Sequence, residues 1–289
     1  MIIIVGILIV FGSVLGGFTI AGGHIGALLH VSEFLVIGGA ALGALVIMSP
    51  RKVLMDLIKQ LIRAFKGTPH NQKAYEELLK ALYELFLLGR RNGMIALEDH
   101  VMNPQGSGIL TKYATFISNH EAVTFLCNSL RPVIDGKIKP EQLKVLLEVE
   151  LDSLEAEDHA PVSVLTKAAD AMPGFGIVAA VLGIVITMAS ISGPIEEIGE
   201  KVATALVGTF LGIFLSYGFM NPLAVNLDFV NASYHGYSRC IATAVGAFVN
   251  GLSPLMAVEL ARRGLNSDVR PTAEELEATL KALGAPAKS

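Results

Sequence analysis

Few side chains in this 289-residue sequence have the type and spacing to do chemistry. The densest group lies in LLGRRNGMIALEDHV, residues 87–101, where Arg90 and Arg91 precede Glu98 and Asp99. Opposite charges at such a distance suit weak, reversible ion pairing, worth about 0.2 to 1 kcal/mol per exposed pair. From composition alone the stretch reads as a solvated helix end, the Asn92-Gly93 punctuation, and the start of another helix. A second pattern is a stripe of small residues. Thr204, Gly208, Gly212 and Ser216 recur every fourth position with Thr209 beside them, and Gly176, Ala180 and Ile184 run next to Ala179 and Gly183. Such stripes let helices approach closely, and their hydroxyls can hydrogen-bond a neighbour. They fit packing among the chain's own helices, or a surface for another protein's helix. The seven histidines are scattered, so His24, His30, His100 and His159 read as surface or interface residues. Cys127 and Cys240 lie far apart with no ligand spacing, which indicates neither a disulfide framework nor a metal site. No phosphate-binding loop, nucleophile elbow or HExxH occurs, so an enzyme reading has no chemistry to rest on and no cofactor is implied.

The elements that must position these residues are membrane helices. Hydrophobic residues make up 52% of the chain and charged ones 17%, with no Trp, 29 Gly and a mean hydropathy of +0.57. That is outside the usual soluble range. The net charge of -4 argues against nucleic acid as a partner. Four spans are expected, at residues 1–23, 34–49, 173–192 and 202–221. The first lacks a basic leader and is too long for a signal-peptide core, so it is read as retained. The segments between spans one and two and between three and four hold one basic residue, Lys201, whereas the middle segment opens with Arg51 and Lys52 and continues through Lys59, Arg63 and Lys66. The positive-inside rule places that segment and both termini in the cytoplasm.

The expected fold is all-α: a polytopic membrane protein with four transmembrane helices and a helical cytoplasmic domain. Its parts are a hairpin over 1–49, a cytoplasmic helical domain over 50–172, a second hairpin over 173–222 and a cytoplasmic helical extension over 223–289. Within the cytoplasmic domain Leu78, Leu79, Leu82, Leu85 and Phe86 follow the i, i+3, i+4, i+7, i+8 stripe of an amphipathic helix. The central parts of the spans carry no Asp, Glu, Lys, Arg or His; Glu33 is expected at the outer edge of the second span. On this reading the chain offers no carboxylate at mid-membrane. Pro173 is expected to open the third helix and Pro222 to close the fourth, placing two backbone breaks at one level.

Four runs carry a resemblance: DAMPGFGIVAAVLGIV (170–185), VGTFLGIFLSYGFMNPLA (207–224), GRRNGMIALEDHVMNP (89–104) and AVELARRGLNSDVRP (257–271). Together they closely resemble the MotA family, the larger stator subunits of the bacterial flagellar motor, and the likeness covers essentially the whole chain. It implies an inner-membrane ring of identical subunits around the helices of a MotB dimer. MotB would supply the proton-carrying aspartate, and the cytoplasmic domain would push on the rotor protein FliG. By position the resemblance makes Arg90 and Glu98 the rotor-contact charges, with Arg91 and Asp99 as additions and Glu150 as a further charge. Pro173 and Pro222 match the family's coupling prolines, and Thr209 matches a threonine facing the partner's aspartate. Ala180 stands where sodium-driven relatives tend to carry threonine, which favours protons as the transported ion; no cofactor is implied. Thr204, Gly208 and Gly212 complete the face expected to line the ion path and partner helix. The related ExbB and TolQ energisers of envelope processes share these traits, but typically have three spans and a different chain order. A self-sufficient permease would need intramembrane charge or a broken helix.

Overall fold

The computed structural model describes residues 2–189 and 191–284. Met1, Ser190 and residues 285–289, which fall in the expected first span, third span and tail, lie outside the described residues. Among the described residues there is no strand. The helices are α1 (Ile2–Ile20), α2 (Val31–Met48), α3 (Arg51–Lys66), α4 (Gln72–Asn92), α5 (Glu98–Met102) and α6 (Ala114–Ile117). They continue as α7 (His120–Ile134), α8 (Pro140–Ala189), α9 (Ile195–Leu215), α10 (Asn221–Val249), α11 (Pro254–Arg263) and α12 (Ala273–Gly284). The chain divides into two compact units, each drawn from two stretches: one through Gly67 plus Glu157–Val230, the other Thr68–Ala156 plus the chain from Asn231.

The first unit holds the apolar helices. Four helical stretches are long and apolar enough to cross a membrane: Ile2–Ile20, Ile25–Met48, Pro140–Ala189 and Ile195–Val249. Each overlaps one of the four expected spans. α1 buries no residue, and its Ile2, Ile4, Val5, Leu8 and Ile9 are all more than half exposed. In water such a surface would be unstable, and in lipid it is the expected outer face. The small core of this unit joins Ile37 and Ala41 of α2 to Met172 and Ala179 of α8 and to Val207 and Leu211 of α9.

Neither proline ends a helix, which corrects the expected breaks. Pro173 lies inside the 50-residue α8, and Pro222 is the second residue of α10, which follows α9 after a π-helical turn at Ser216–Met220. Proline removes one N–H from the helical ladder and crowds the preceding turn. A wide turn absorbs such a mismatch without stopping the helix, and it occurs immediately before Pro222. Asn221 Nδ2 also donates to Asp170 Oδ1 at 3.0 Å, tying the stretch before Pro222 to the stretch before Pro173.

The second unit is packed conventionally. The predicted stripe on α4 is fully withdrawn from water: Leu78, Leu79, Leu82, Leu85 and Phe86 all reach 0% exposure. Phe86 stacks on Phe248 of α10 with ring centroids 4.4 Å apart. The Asn71 side chain caps α4 by accepting from Ala74 N at 3.0 Å, and Gly93, at φ +85°, ends it. A residue with a side chain would be strained in that left-handed conformation. Asn119 and Ser253 cap α7 and α11 in the same way as Asn71.

Candidate functional site

In the first unit α8 and α9 meet backbone to backbone. A methyl group at Gly176 would stand 2.8 Å from the Gly208 carbonyl oxygen, and one at Gly212 would stand 2.7 Å from the Met172 carbonyl oxygen. At Gly183 it would lie 2.9 Å from Ala205 Cβ. These separations leave no room for any side chain. Gly208 and Gly212, expected on the partner-helix face, are therefore spent on packing α9 against its own neighbours.

Gly208 also makes room for an acid. A methyl group there would lie 2.6 Å from Glu33 Oε2 and 3.1 Å from Ala179 Cβ. Glu33 is only 5% exposed, Ser32 Oγ lies 3.5 Å from its Oε1, and Oε2 accepts no hydrogen bond from any described residue. The expected location at the outer edge is corrected: although Glu33 is in the first turn of α2, it lies beside Ala179, Ala180 and Gly208. From Ala180 to Ala189 α8 runs on for about 14 Å at 1.5 Å per residue. The carboxylate judged missing from the depth of Ala180 is thus supplied by α2. Its sequence signal was faint: helix α2 begins at Val31, earlier than the apolar run suggests, and an acid in a first turn is favoured by the helix dipole. Nothing local reveals the register that carries this turn so far along α8 and α9.

Thr209 is half-buried on α9, one residue from the packed glycine face. Thr19, Thr187 and Thr204 each donate their hydroxyl to the carbonyl four residues earlier, at 2.8, 2.8 and 3.0 Å. The Thr209 hydroxyl makes no hydrogen bond to any described residue. It remains available for a group presented from outside. Thr204 has a second polar neighbour, His30 Nε2, at 3.5 Å. Ala180 is half-buried, so α8 also shows part of this level to its surroundings.

In the second unit Arg90 and Arg91 occupy the last turn of α4, and Glu98 and Asp99 the first turn of α5, the signs a helix dipole favours at each end. Gly93 and a 3-10 turn over Met94–Leu97 separate them. All four are exposed. Arg90, Glu98 and Asp99 make no ion pair or side-chain hydrogen bond to any described residue. Several charges elsewhere in this unit are paired: Lys112 meets Glu84 at 2.6 Å, and Glu259 bridges Arg262 and Arg263 at 2.7 and 2.8 Å. Glu150 is half-buried on α8, and burial raises its carboxyl above the usual range. Among the described residues no group of three His, Cys, Asp or Glu could hold a metal ion.

Residues 4–93 match the family model for the motility protein A N-terminal region, and residues 118–228 match that of the MotA/TolQ/ExbB proton channel family. The motility protein A of Salmonella typhimurium is 36% identical over 99% of this chain and 97% of its own length. The chemotaxis protein LafT of Vibrio parahaemolyticus is 36% identical over 94% and 95%. Among solved structures, the C. jejuni MotAB structure shares the fold with a TM-score of 0.78 at 21% identity, covering 94% of this chain and 98% of that one.

Proposed function

The chain belongs to the motility protein A family, and from that premise we infer that it is the ring-forming subunit of a flagellar stator, which with a MotB-type partner conducts ions and turns the rotor. The observation that carries the reading furthest is the uncommitted Thr209 hydroxyl, one residue from the Gly208 position against which Glu33 is packed. The ring lies in the inner membrane, with the middle segment and both termini in the cytoplasm.

A MotB helix carrying a membrane aspartate docks beside Thr209 and the exposed edge of Ala180. Ionised, that aspartate draws on the threonine hydroxyl; protonated, it no longer needs the donor, because a neutral acid tolerates a low-dielectric site that a charge does not. Glu33 offers a second protonatable oxygen on the stator ring itself. A proton crossing ~150 mV releases roughly 3.5 kcal/mol, at ~2.3 kcal/mol per 100 mV, enough to bias one step between packings. Pro173 and Pro222 set where α8 and α10 yield as that step occurs. Arg90, Glu98 and their neighbours Arg91 and Asp99 meet opposite charges on FliG, with Glu150 adjusting the local field. Exposed pairs of about 0.2 to 1 kcal/mol form and release readily.

The test is co-expression with a single-span protein bearing a membrane aspartate, followed by proton flux across vesicles containing the complex. Flux that requires both chains and falls when Thr209→Val is combined with Pro173→Ala supports the assignment. Flux through this chain alone makes it a permease, and flux unaffected by the double change removes Thr209 and Pro173 from the path.

A further inference from the structure

One histidine of the second unit is held by a framework that the rotor assignment leaves unused. His100, half-buried on α5, directly follows Glu98 and Asp99. Its Nδ1 lies 2.7 Å from the Oγ of Ser107, which is 2% exposed. The segment that carries Ser107 is closed on itself. Asn103 Oδ1 accepts from Gly106 N at 3.2 Å, and the Ser107 carbonyl accepts from Thr111 Oγ1 at 2.6 Å. Ser107 Oγ itself accepts from Ile109 N at 3.3 Å and from Leu110 N at 3.0 Å.

These bonds decide which ring nitrogen carries the hydrogen. A hydroxyl oxygen has two lone pairs, and the two backbone N–H groups take both. The Ser107 hydrogen is left for His100 Nδ1, which must accept it. A neutral imidazole that accepts at Nδ1 carries its own hydrogen on Nε2. Nε2 makes no hydrogen bond to any described residue. The surface thus holds an uncharged donor of fixed orientation next to the uncommitted carboxylates of Glu98 and Asp99.

What such a donor meets follows from its neighbours. Glu98 and Asp99 attract lysine and arginine, whose side chains offer donors only. The acceptor for Nε2–H therefore has to come from the partner's main chain. A helix C-terminus supplies both, because its last carbonyls lack intrahelical donors and basic residues are favoured there. We propose that His100 is a further rotor-contact residue, positioned by Ser107, whose Nε2–H donates to a main-chain carbonyl at the basic C-terminal end of a rotor helix. The proposal rests on the assignment of Arg90 and Glu98 to the rotor. Since Ser107 fixes the ring beforehand, the bond forms without the cost of ordering a side chain. Ion pairs attract from a distance, whereas this bond is made only when donor and acceptor are aligned.

Asparagine and glutamine separate the two ends of the ring: asparagine keeps a polar group near the Nδ1 position, and glutamine keeps one near Nε2. The full-length chain, purified with its MotB-type partner, is immobilised, and the dissociation rate of purified FliG is measured. His100→Asn should speed dissociation about fivefold, the weight of one ordinary hydrogen bond, and His100→Gln should stay close to the parent. Ser107→Ala should speed it in the parent and add nothing to His100→Asn. High salt should erase the effect of Arg90→Glu and leave that of His100→Asn, because the donor is uncharged. If His100→Gln proves equally or more damaging than His100→Asn, the inward bond to Ser107 is the ring's only role and the proposal is overturned. A parent-like rate for His100→Asn, with Arg90→Glu still speeding dissociation, overturns it as well. If neither change acts, the rotor assignment falls and takes this proposal with it. Additive losses from Ser107→Ala and His100→Asn remove Ser107 as the positioning residue.

Discussion

The unit that carries the four apolar helices and the unit built around α4 each hold an acid partly or wholly out of water, Glu33 and Glu259, and they treat it in opposite ways. Glu259, in the second unit, accepts from Arg262 Nε at 2.7 Å and Nη2 at 2.9 Å and from Arg263 at 2.8 Å. The Arg262 hydrogen bonds outweigh burial and, with those of Arg263, hold its carboxyl down at about 2. Glu33, 5% exposed in the first unit, has one oxygen with no donor among the described residues. The packing differs in the same sense. One unit fills its interior with leucine and phenylalanine; the other brings α8 and α9 together through glycine, where nothing can be added. A satisfied acid at the margin of a filled core is a structural solution, whereas an unsatisfied one beside bare backbone is a cost that folding alone does not explain.

Substitutions can break or sharpen that contrast. The largest effect is expected at Gly212→Val, whose side chain would collide with the backbone of Met172 and Gly176. Loss of stability near the upper end of the ~1–3 kcal/mol overpacking range, with loss of motility, is the expected outcome. Thermal unfolding of the purified chain in detergent and a swimming assay read both; a neutral result would mean that the helices can part freely. Next comes Glu259→Gln, which deprives the 9%-exposed Arg262 of its charged partner and leaves it the Pro271 carbonyl. A cost of about 1–2 kcal/mol near neutral pH is expected, discounted for the exposed Arg263. Because the folded carboxyl titrates lower than an unfolded one, its stabilisation is complete above the usual value of about 4.3 and is lost as pH falls toward about 2. The difference between Glu259→Gln and the parent chain should shrink over that window; a constant difference would make the pairing irrelevant.

Glu33→Met should go the other way, raising stability by about 1 kcal/mol by removing an unsatisfied polar group while lowering proton flux through the complex. If it lowered stability as Glu259→Gln does, the two acids would be alike and the contrast would fail. Smallest is Gly246→Ala in α10, where an added methyl meets nothing within 4 Å. A gain of about 0.5 kcal/mol is expected from unfolded-state entropy. Outside this series, Arg90→Glu should impair motility, with partial recovery when the opposing charge on the rotor is also reversed. An unimpaired Arg90→Glu strain would leave these charges as a solvated surface.

The spans and the α4 stripe were legible because each depends on one helix and one period: an apolar run of sufficient length, or leucines at i, i+3 and i+4. The exposure of Arg90 and Glu98 followed from their position around Asn92-Gly93. What stayed hidden depends on register between helices. Glu33 belongs to a first turn by sequence, and only the placement of α2 beside α8 and α9 puts it against Gly208. The glycines could be recognised as an interface, but their spacing is the same whether the partner is the chain itself or another. Pro173 and Pro222 were misplaced because local propensity counts a lost hydrogen bond and cannot count the contacts on either side that keep the helix going.

A regular helix resists bending because every turn is cross-linked to the next. Pro173 and Pro222 each delete one cross-link, Pro173 against the carbonyl of Ala169 and Pro222 just after the π-helical turn, so stiffness drops at those points. Between them Asn221 grips Asp170, coupling the two soft places like a pin through adjacent hinges. If the two prolines couple ion passage to movement as proposed, bending would concentrate at these points, and a small push applied near Ala180 would be converted into angle there instead of being dissipated along the rod.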